Sequence, residues 1–225
     1  MSYSTSGIPV NDIYACIQGE GVQTGVPMVL LRLHGCEVGC PFCDTKETWD
    51  FEQEVSAIDD ALGANPKYVQ MSASEINHYI SQRFPAFQWV LVTGGEPAKQ
   101  NLKTLVTALH DGGHKVALET SGTEIGHVGT NLDWVCVSPK MRMPGGKSVL
   151  PAALEAADEI KMVIGRQRDV DMLDELLARC TLKESVQICL QPMSQNPRAT
   201  ALCIQTVQER GWRLSLQTHK FIAQP

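Results

Sequence analysis

Short apolar runs alternate with amphipathic segments over most of the chain, and the two patterns predict different elements. Runs rich in Val, Leu and Ile between Gly, Pro or polar residues predict buried strands, whereas apolar residues spaced three and four apart predict helices. The predicted strands cover residues 8–17, 28–34, 89–93, 115–118, 134–137, 159–164, 186–190 and 212–216. The predicted helices cover residues 72–84, 101–111, 150–157, 169–180 and 197–210.

Local residue patterns indicate where two of the predicted helices begin and where one of them ends. Ser72-Ala-Ser-Glu75 has the spacing of a capping box, in which the two outer residues satisfy each other's backbone N–H groups. Pro197 opens the last helix and Gly211 follows it, which are the favoured positions of these two residues. The segment 44–71 shows no clear periodicity, so no regular element is predicted there.

The alternation of strands and helices predicts the fold class. Successive βα units form right-handed crossovers and a parallel sheet. The chain carries about six strong units, fewer than the eight strands of a closed TIM barrel. We therefore expect an α/β fold of the incomplete, open (βα)6 TIM-like barrel type with parallel strands. A flat, doubly wound sheet is the alternative. The length of 225 residues suits a single domain covering residues 1–225.

Polar and glycine-rich clusters follow the predicted strands. They are Gly94-Gly95-Glu96, Glu119-Thr120-Ser121-Gly122, Ser138-Pro139-Lys140, Gln191-Pro192 and His219. In parallel α/β folds the carboxyl ends of the strands meet at one rim, which carries the functional site. These clusters are therefore expected to line one mouth. Arg32 lies within the strand 28–34, where a charge is costly unless it is paired, so it either faces the site or forms a salt bridge.

Three cysteines in one short loop suggest a metal cluster. Cys36, Cys40 and Cys43 follow the apolar run 28–33 at the spacing Cys-x-x-x-Cys-x-x-Cys. Iron–sulfur clusters are normally held by four thiolates, so three ligands would leave one iron of a cubane open to a substrate or cofactor. The alternative is half of a structural zinc site completed by His34 or a distant cysteine, although zinc sites usually pair two short motifs and no second one occurs.

Composition limits the possible partners and the compartment. The formal charge is −6, with 19 Lys and Arg against 25 Asp and Glu, which does not favour nucleic-acid binding. No apolar run approaches the roughly 20 residues of a membrane span, and no signal segment opens the chain. We expect a cytoplasmic protein, whose thiols stay reduced and available to iron. The other five cysteines are isolated and are expected to be small apolar residues.

Several motifs together resemble those of the 7-carboxy-7-deazaguanine synthase family, radical S-adenosylmethionine (SAM) enzymes of queuosine and deazapurine biosynthesis. The resemblance covers nearly the whole chain, with segment 50–71 as a variable region. Its motifs are Gln18-Gly-Glu-Gly21, Arg32, the three cysteines, Asp44-Thr45-Lys46, Thr93-Gly-Gly-Glu-Pro97, Glu119-Thr-Ser-Gly122, Ser138-Pro-Lys140, Gln191-Pro-Met-Ser-Gln195 and Gln217-Thr-His-Lys220.

The resemblance implies a reaction and its cofactors. In this family 6-carboxy-5,6,7,8-tetrahydropterin becomes 7-carboxy-7-deazaguanine with loss of ammonia. A reduced 4Fe-4S cluster gives one electron to SAM, and the resulting 5′-deoxyadenosyl radical takes a hydrogen atom from the pterin, whose ring then contracts. The radical recovers the hydrogen atom and SAM is regenerated. Mg²⁺, an electron donor such as flavodoxin or ferredoxin, and a homodimer are expected as well.

The resemblance also implies site residues. Cys36, Cys40 and Cys43 would bind three irons, and Thr45 would bind Mg²⁺ or, alternatively, cap a helix. The SAM-binding residues would be Gly95, Glu96, Ser121, Ser138, Pro139, Lys140 and Gln191, with Glu96 alternatively a structural carboxylate and Lys140 alternatively a solvated lysine. The substrate-binding residues would be Ile17, Gln18, Gly19, Arg32, Thr93 and His219, with Arg32 as the partner of the pterin carboxylate.

Two other functions fit part of the sequence. A glycyl-radical-enzyme activase shares the cysteine motif and Gly-Gly-Glu-Pro, whereas a zinc-stabilised binding module would have no chemistry. The end of the chain gives a further expectation. Phe221 and Ile222 are large and apolar, which is unusual for a disordered terminus. They are predicted to pack across the open side of the barrel and to hold His219 beside the substrate.

Overall fold

The computed structural model describes residues 7–63 and 65–221. The strands are β1 (Ile8–Ile17), β2 (Pro27–Leu33), β3 (Gln53–Glu54), β4 (Lys67–Met71), β5 (Trp89–Thr93), β6 (Lys115–Thr120), β7 (Trp134–Val137), β8 (Glu159–Ile164), β9 (Gln187–Pro192) and β10 (Arg213–Leu214). The helices are α1 (Ile58–Ala61), α2 (Ala73–Arg83), α3 (Lys103–Asp111), α4 (Pro151–Glu155), α5 (Gln167–Leu177) and α6 (Pro197–Arg210). Short 3₁₀ turns cover Lys46–Thr48, Pro97–Lys99, Met193–Gln195 and Thr218–Lys220.

Within the described ranges the strands form one open sheet in the order β10-β9-β8-β7-β6-β5-β2-β1-β4-β3. Strands β2, β5, β6, β7, β8, β9 and β10 are parallel to one another. The predicted open α/β architecture is therefore confirmed. The expectation that every strand is parallel is wrong for β1, which runs antiparallel to both β2 and β4. Residues 18–26 are too few for the crossover of a dozen or more residues that a parallel pair needs.

The two faces of the sheet have different roles. Successive side chains of a strand point to opposite faces. On β6, Val116 and Leu118 join the main apolar core, whereas Ala117 belongs to a smaller cluster and Glu119 lines a cavity on the other face. Helices α2, α3, α5 and α6 bury their apolar residues in the main core. The other face of the sheet is thus left to form the site.

Most predicted elements are present, with local differences. The capping box at Ser72 is confirmed, because its hydroxyl accepts from the backbone N–H of Glu75 and the Glu75 carboxylate accepts from Ser72. The unassigned segment 44–71 contains β3, α1 and β4, and β4 pairs with β1. In the described chain the connection between β6 and β7 contains no helix. No described helix combines the length and apolar character needed to span a bilayer.

Candidate functional site

A cavity of about 580 Å³ opens where the carboxyl ends of the parallel strands meet. Nearly all of the predicted site residues line this cavity. These are Ile17, Gln18, Gly19, Arg32, Cys36, Cys40, Cys43, Thr45, Thr93, Gly95, Glu96, Ser121, Ser138, Lys140, Gln191 and His219. Pro139 is buried and is the one predicted site residue that does not line the cavity.

The backbone fixes the cysteine loop at the cavity wall. The Cys36 N–H donates to the Trp49 carbonyl at 3.3 Å, and the Cys43 N–H donates to the Cys40 carbonyl at 3.1 Å. All eight cysteines of the chain are free thiols, so Cys36, Cys40 and Cys43 remain available as ligands. The loop therefore presents three sulfur donors to one cavity.

Burial disfavours the thiolate form of two of these cysteines. Burial raises the pKa of Cys36 to about 11. Burial also raises the pKa of Cys40, although the Lys140 ammonium opposes that shift. Iron would have to displace these protons, as metals do when they bind thiolates. Within 7–63 and 65–221, no three Cys, His, Asp or Glu side chains are placed to hold a single metal ion.

Thr45 and Thr48 connect the cysteine loop to the rest of the site. Thr45 stands at the N-cap position of a 3₁₀ turn, but its hydroxyl makes no capping hydrogen bond and lies 3.7 Å from Cys43 Sγ. Thr48 is fully buried; its hydroxyl donates to the Thr45 carbonyl at 2.8 Å and accepts from the Gly95 N–H at 3.1 Å. The sequence analysis missed Thr48, whose role depends on this tertiary contact.

The glycine at position 95 is required by a close backbone contact. Its φ is +54°, and a Cβ there would lie 2.7 Å from the Gly35 carbonyl oxygen. Any other residue would therefore strain the backbone and collide with main chain that cannot yield. The adjacent N–H of Glu96 donates to the same carbonyl at 2.9 Å. Two hydrogen bonds and one tight contact thus join the Gly-Gly-Glu-Pro turn to the cysteine loop.

The Glu96 carboxylate is buried and accepts hydrogen bonds from the surrounding protein. It is 3 % exposed, and Oε1 accepts from Thr120 Oγ1 at 2.5 Å and from the Ala98 N–H at 2.9 Å. Oε2 accepts from the Ser121 N–H at 2.8 Å and from the Ser121 hydroxyl. Four protein donors satisfy this carboxylate, which supports the structural alternative. Glu96 fixes the turn after β5 to the turn after β6.

Lys140 and Gln191 are held by their neighbours at the cavity wall. Lys140 Nζ donates to the hydroxyl of Ser138 at 2.6 Å and to its carbonyl at 3.2 Å. Gln191 is 4 % exposed, and its Oε1 accepts from Ser215 Oγ at 2.8 Å. The Ser215 hydroxyl in turn accepts from the Gly21 N–H at 2.8 Å. Lys140 therefore lines the cavity with its ammonium hydrogen-bonded to Ser138, and it is not a freely solvated lysine.

The end of the chain contacts the turn between β1 and β2. The Thr218 N–H donates to the Gly19 carbonyl at 2.9 Å, and a Cβ on Gly19 would lie 2.4 Å from His219 Nδ1. Only a glycine at position 19 therefore leaves room for the imidazole. Phe221 is 65 % exposed, so its predicted packing across the opening is wrong, and Ile222 lies outside the described residues.

Arg32 faces the cavity and is not part of a salt bridge within the described chain. Its Nη2 donates to the Tyr14 hydroxyl at 2.9 Å, and Thr93 is its register partner on β5. Of the two alternatives for Arg32, the structure therefore supports the one in which its side chain faces the site.

A buried charge cluster behind the wall was not predicted. Lys161 is 2 % exposed and contacts the carboxylates of Glu20 and Glu119, the latter at 2.5 Å. Burial by itself would raise the pKa of Glu20, but the Lys161 ammonium lowers this pKa to about 2. Burial likewise disfavours the ammonium, yet Glu119 and Glu20 raise the pKa of Lys161 well above its usual value. A lysine inside the apolar run of β8 was the available sequence signal.

Known proteins match the chain over nearly its full length. A family profile described as a 4Fe-4S single cluster domain matches residues 17–135. The 7-carboxy-7-deazaguanine synthase of Escherichia coli (strain K12) is 44 % identical over 218 residues, which cover 95 % of this chain and 97 % of the relative. The protein of the same name from Bordetella pertussis is 34 % identical over 240 residues, with 100 % of both chains covered.

A solved structure of a protein from Escherichia coli is also similar to this chain. The crystal structure of QueE from Escherichia coli superposes with a TM-score of 0.88 at 43 % identity, covering 96 % of each chain. The resemblance deduced from the motifs is thus confirmed by sequence and by structure. This chain belongs to the 7-carboxy-7-deazaguanine synthase family.

Proposed function

We propose that the protein is a radical SAM lyase that converts 6-carboxy-5,6,7,8-tetrahydropterin to 7-carboxy-7-deazaguanine with loss of ammonia, in the queuosine pathway. One observation carries the proposal: the three-cysteine loop and, apart from Pro139, the residues expected to bind SAM and pterin line the same cavity. When bound, the 4Fe-4S cluster and SAM supply the one-electron chemistry that removes a hydrogen atom from the pterin and later returns it.

The chain's residues fit the cluster and SAM. Cys36, Cys40 and Cys43 would each hold one iron, and their anchored loop limits how far the sulfur atoms can move. The Gly95 backbone would let SAM approach, because no side chain blocks it. Ser138 and Lys140 would contact the SAM carboxylate and ribose, with Pro139 fixing the turn behind them. Ser121, Glu96 and Gln191 support this wall mainly through their own hydrogen bonds.

Other residues would orient the pterin and a metal ion. Arg32 would bind the pterin carboxylate through two N–H donors, because its guanidinium already faces the cavity. Ile17, Gln18, Gly19 and Thr93 would bind through the turn and strand ends, and His219 would donate to the ligand. Thr45 would bind Mg²⁺ through its hydroxyl, which makes no capping hydrogen bond. Mg²⁺ prefers oxygen ligands.

The same proposal includes the architecture and the partners. The six parallel strands β2 and β5–β9 would form the open (βα)6 barrel of a single domain. An electron donor such as flavodoxin or ferredoxin would reduce the cluster, and two copies would form a homodimer. No nucleic acid or membrane partner is proposed, and the cytoplasm is the proposed compartment.

Anaerobic turnover of the carboxytetrahydropterin tests the activity directly. The reconstituted protein with SAM, Mg²⁺ and a reductant should release 7-carboxy-7-deazaguanine and one ammonia per substrate, without consuming SAM stoichiometrically. Stoichiometric 5′-deoxyadenosine together with a modified protein would instead favour the activase. An iron-replete protein that leaves the pterin unchanged would contradict the proposal.

A further inference from the structure

The turn between β1 and β2, residues 18–26, contacts strands that lie far from it in the sheet. The sheet order places β5, β6 and β7 between β2 and β8, so about four strand spacings, or roughly 19 Å on a flat sheet, separate the two. Nevertheless Glu20 contacts Lys161 on β8, and the Gly21 N–H donates to Ser215 Oγ, after β10, at 2.8 Å. The β1–β2 turn therefore crosses the face of the sheet that carries the cavity and is held by the strands on the other side.

Glu159, the first residue of β8, lies against this turn. It is 2 % exposed and does not line the cavity. Its Oε2 accepts from the Val22 N–H at 3.1 Å and from the indole N–H of Trp134 at 3.3 Å. Gly21 has a φ of +66°, and a Cβ there would overlap Glu159 Oε1. The carboxyl group thus contacts two consecutive residues of the turn, one through a hydrogen bond and one through close packing.

The accepting oxygen of Glu159 matters more for this contact than its charge. Burial raises the pKa of Glu159, although the Lys161 ammonium and the Val22 N–H oppose that shift. Both the ionised and the protonated carboxyl group keep an oxygen that can accept these two bonds. A buried backbone N–H without an acceptor is costly. Loss of the oxygen would therefore favour a displaced turn, in which the Val22 N–H reaches water.

The same turn carries two of the residues assigned to the pterin, Gln18 and Gly19, which line the cavity. The Gln18 N–H donates to the Val26 carbonyl at 2.9 Å, and the Gly25 N–H donates to the Gln18 carbonyl at 2.8 Å. These bonds close the turn into one unit. A displacement of Val22 would therefore also move Gln18 and Gly19.

We infer that Glu159 is a positioning residue, which holds the β1–β2 turn in the shape that presents Gln18 and Gly19 to the pterin. This inference rests on the proposed function, because it assigns a support to the same binding site. Without the Glu159 oxygen, the turn would adopt the binding shape only part of the time, and the apparent affinity falls by that fraction. The bound complex would still react normally, because the ligand restores the turn before the chemistry begins.

Two substitutions separate the accepting oxygen from the charge. Met fills a similar space without an acceptor, whereas Gln keeps the oxygen and lacks the charge. In the anaerobic holoenzyme, Glu159→Met should raise the KM for the carboxytetrahydropterin about tenfold and leave kcat within about twofold, the effect of one lost buried hydrogen bond on the turn. Glu159→Gln should keep the KM within about threefold of wild type, because its amide oxygen can replace Oε2.

Hydrogen exchange measures the position of the turn without turnover. In the holoenzyme with SAM and no pterin, the peptide 18–26 should exchange about tenfold faster in Glu159→Met than in wild type, because the Val22 N–H loses its acceptor. Glu159→Gln should exchange at the wild-type rate. Saturating 6-carboxypterin, an unreactive analogue, should restore the protection of this peptide in Glu159→Met.

Asp133→Leu is the matched control for general destabilisation. The Asp133 carboxylate accepts from the Val116 N–H at 2.8 Å and does not line the cavity. Its loss should lower stability but leave the pterin KM and the exchange of residues 18–26 unchanged. If Glu159→Met does not accumulate in folded form, Gly21→Ala places a Cβ against Glu159 and should raise the KM and the exchange rate in the same way.

The outcomes distinguish this inference from the activity. A folded Glu159→Met or Gly21→Ala enzyme with wild-type KM and wild-type exchange would overturn the role of Glu159 and leave the activity in place. A Glu159→Gln enzyme as impaired as Glu159→Met would likewise contradict the accepting oxygen as the cause. A wild-type holoenzyme with no turnover would overturn the proposed function, whereas the exchange rates would still show whether Glu159 holds the turn.

Discussion

Replacing Lys161 by Met should strongly destabilise the protein. Met has a similar length but no charge, so Glu20 and Glu119 would lose the ammonium that both contact in the folded state. Removing one partner from a buried ion pair costs about 3–5 kcal/mol, because the other charge stays buried without compensation. The lowering of the Glu20 pKa from 4.5 to about 2 corresponds to about 3 kcal/mol, which agrees with the lower limit.

The loss should also depend on pH with a defined sign. In the wild type the folded pKa of Glu20 is below its unfolded value, so its contribution is complete above about pH 4.5 and is lost only as pH falls toward 2. Between pH 5 and pH 8 this group therefore leaves wild-type stability nearly unchanged. Without Lys161, burial would raise the pKa of Glu20 above 4.5. The variant should therefore lose stability as pH rises above about 4.5, and the difference from wild type should be larger at pH 8 than at pH 5.

Anaerobic urea unfolding followed by tryptophan fluorescence measures both effects. Lys183→Met is a matched control, because Lys183 pairs with Asp158 at 2.6 Å but its side chain is 40 % exposed. That surface pair should contribute at most about 1 kcal/mol at either pH. A Lys161→Met protein that loses no more than the control, or whose loss is the same at pH 5 and pH 8, would refute the reasoning.

Three further predictions concern the cavity. Cys40→Ala should lower bound iron and abolish SAM cleavage, whereas Cys180→Ala, outside the cavity, should do neither; normal turnover by iron-replete Cys40→Ala would exclude the cluster assignment. Thr45→Ala should weaken the Mg²⁺ dependence of the rate without loss of iron, and Thr45→Ser should restore it; an unchanged Mg²⁺ titration would remove Thr45 from the metal site. Gly19→Ala should raise the KM for the pterin about tenfold, or roughly 1.4 kcal/mol, because the new Cβ displaces the His219 ring. Combining it with His219→Ala should add little, and full additivity would show that the two residues act independently.

The sequence by itself determined the order of the elements and the chemistry of the loops. Apolar runs such as 89–93 and 159–164 must be buried, and in an alternating chain they must be parallel, so their polar ends converge on one rim. The cysteine spacing is likewise local information. For these reasons the open α/β fold and the residues that line the cavity could be predicted from the order and spacing of the residues, while the motifs in the loops carried the resemblance to the family.

Sequence periodicity could not decide contacts between distant segments. The antiparallel course of β1 depends on the short connection to β2, and the site's supporting bonds join residues far apart in the chain. Thr48 reaches Gly95, and Gln217 reaches Glu20. An exposed Phe221 shows that an apolar residue near a terminus need not pack against its own chain.

The charge cluster illustrates the limit most clearly. A lysine in the apolar run of β8 must find a counter-charge, since an unpaired ammonium in the interior is very costly. That rule predicts a partner without naming it. Glu20 and Glu119 become the partners only because the fold brings the turn after β1 and the end of β6 within contact distance of the Lys161 ammonium. Composition and spacing determined that the charge would be compensated, and the tertiary structure decided by which residues and toward which cavity.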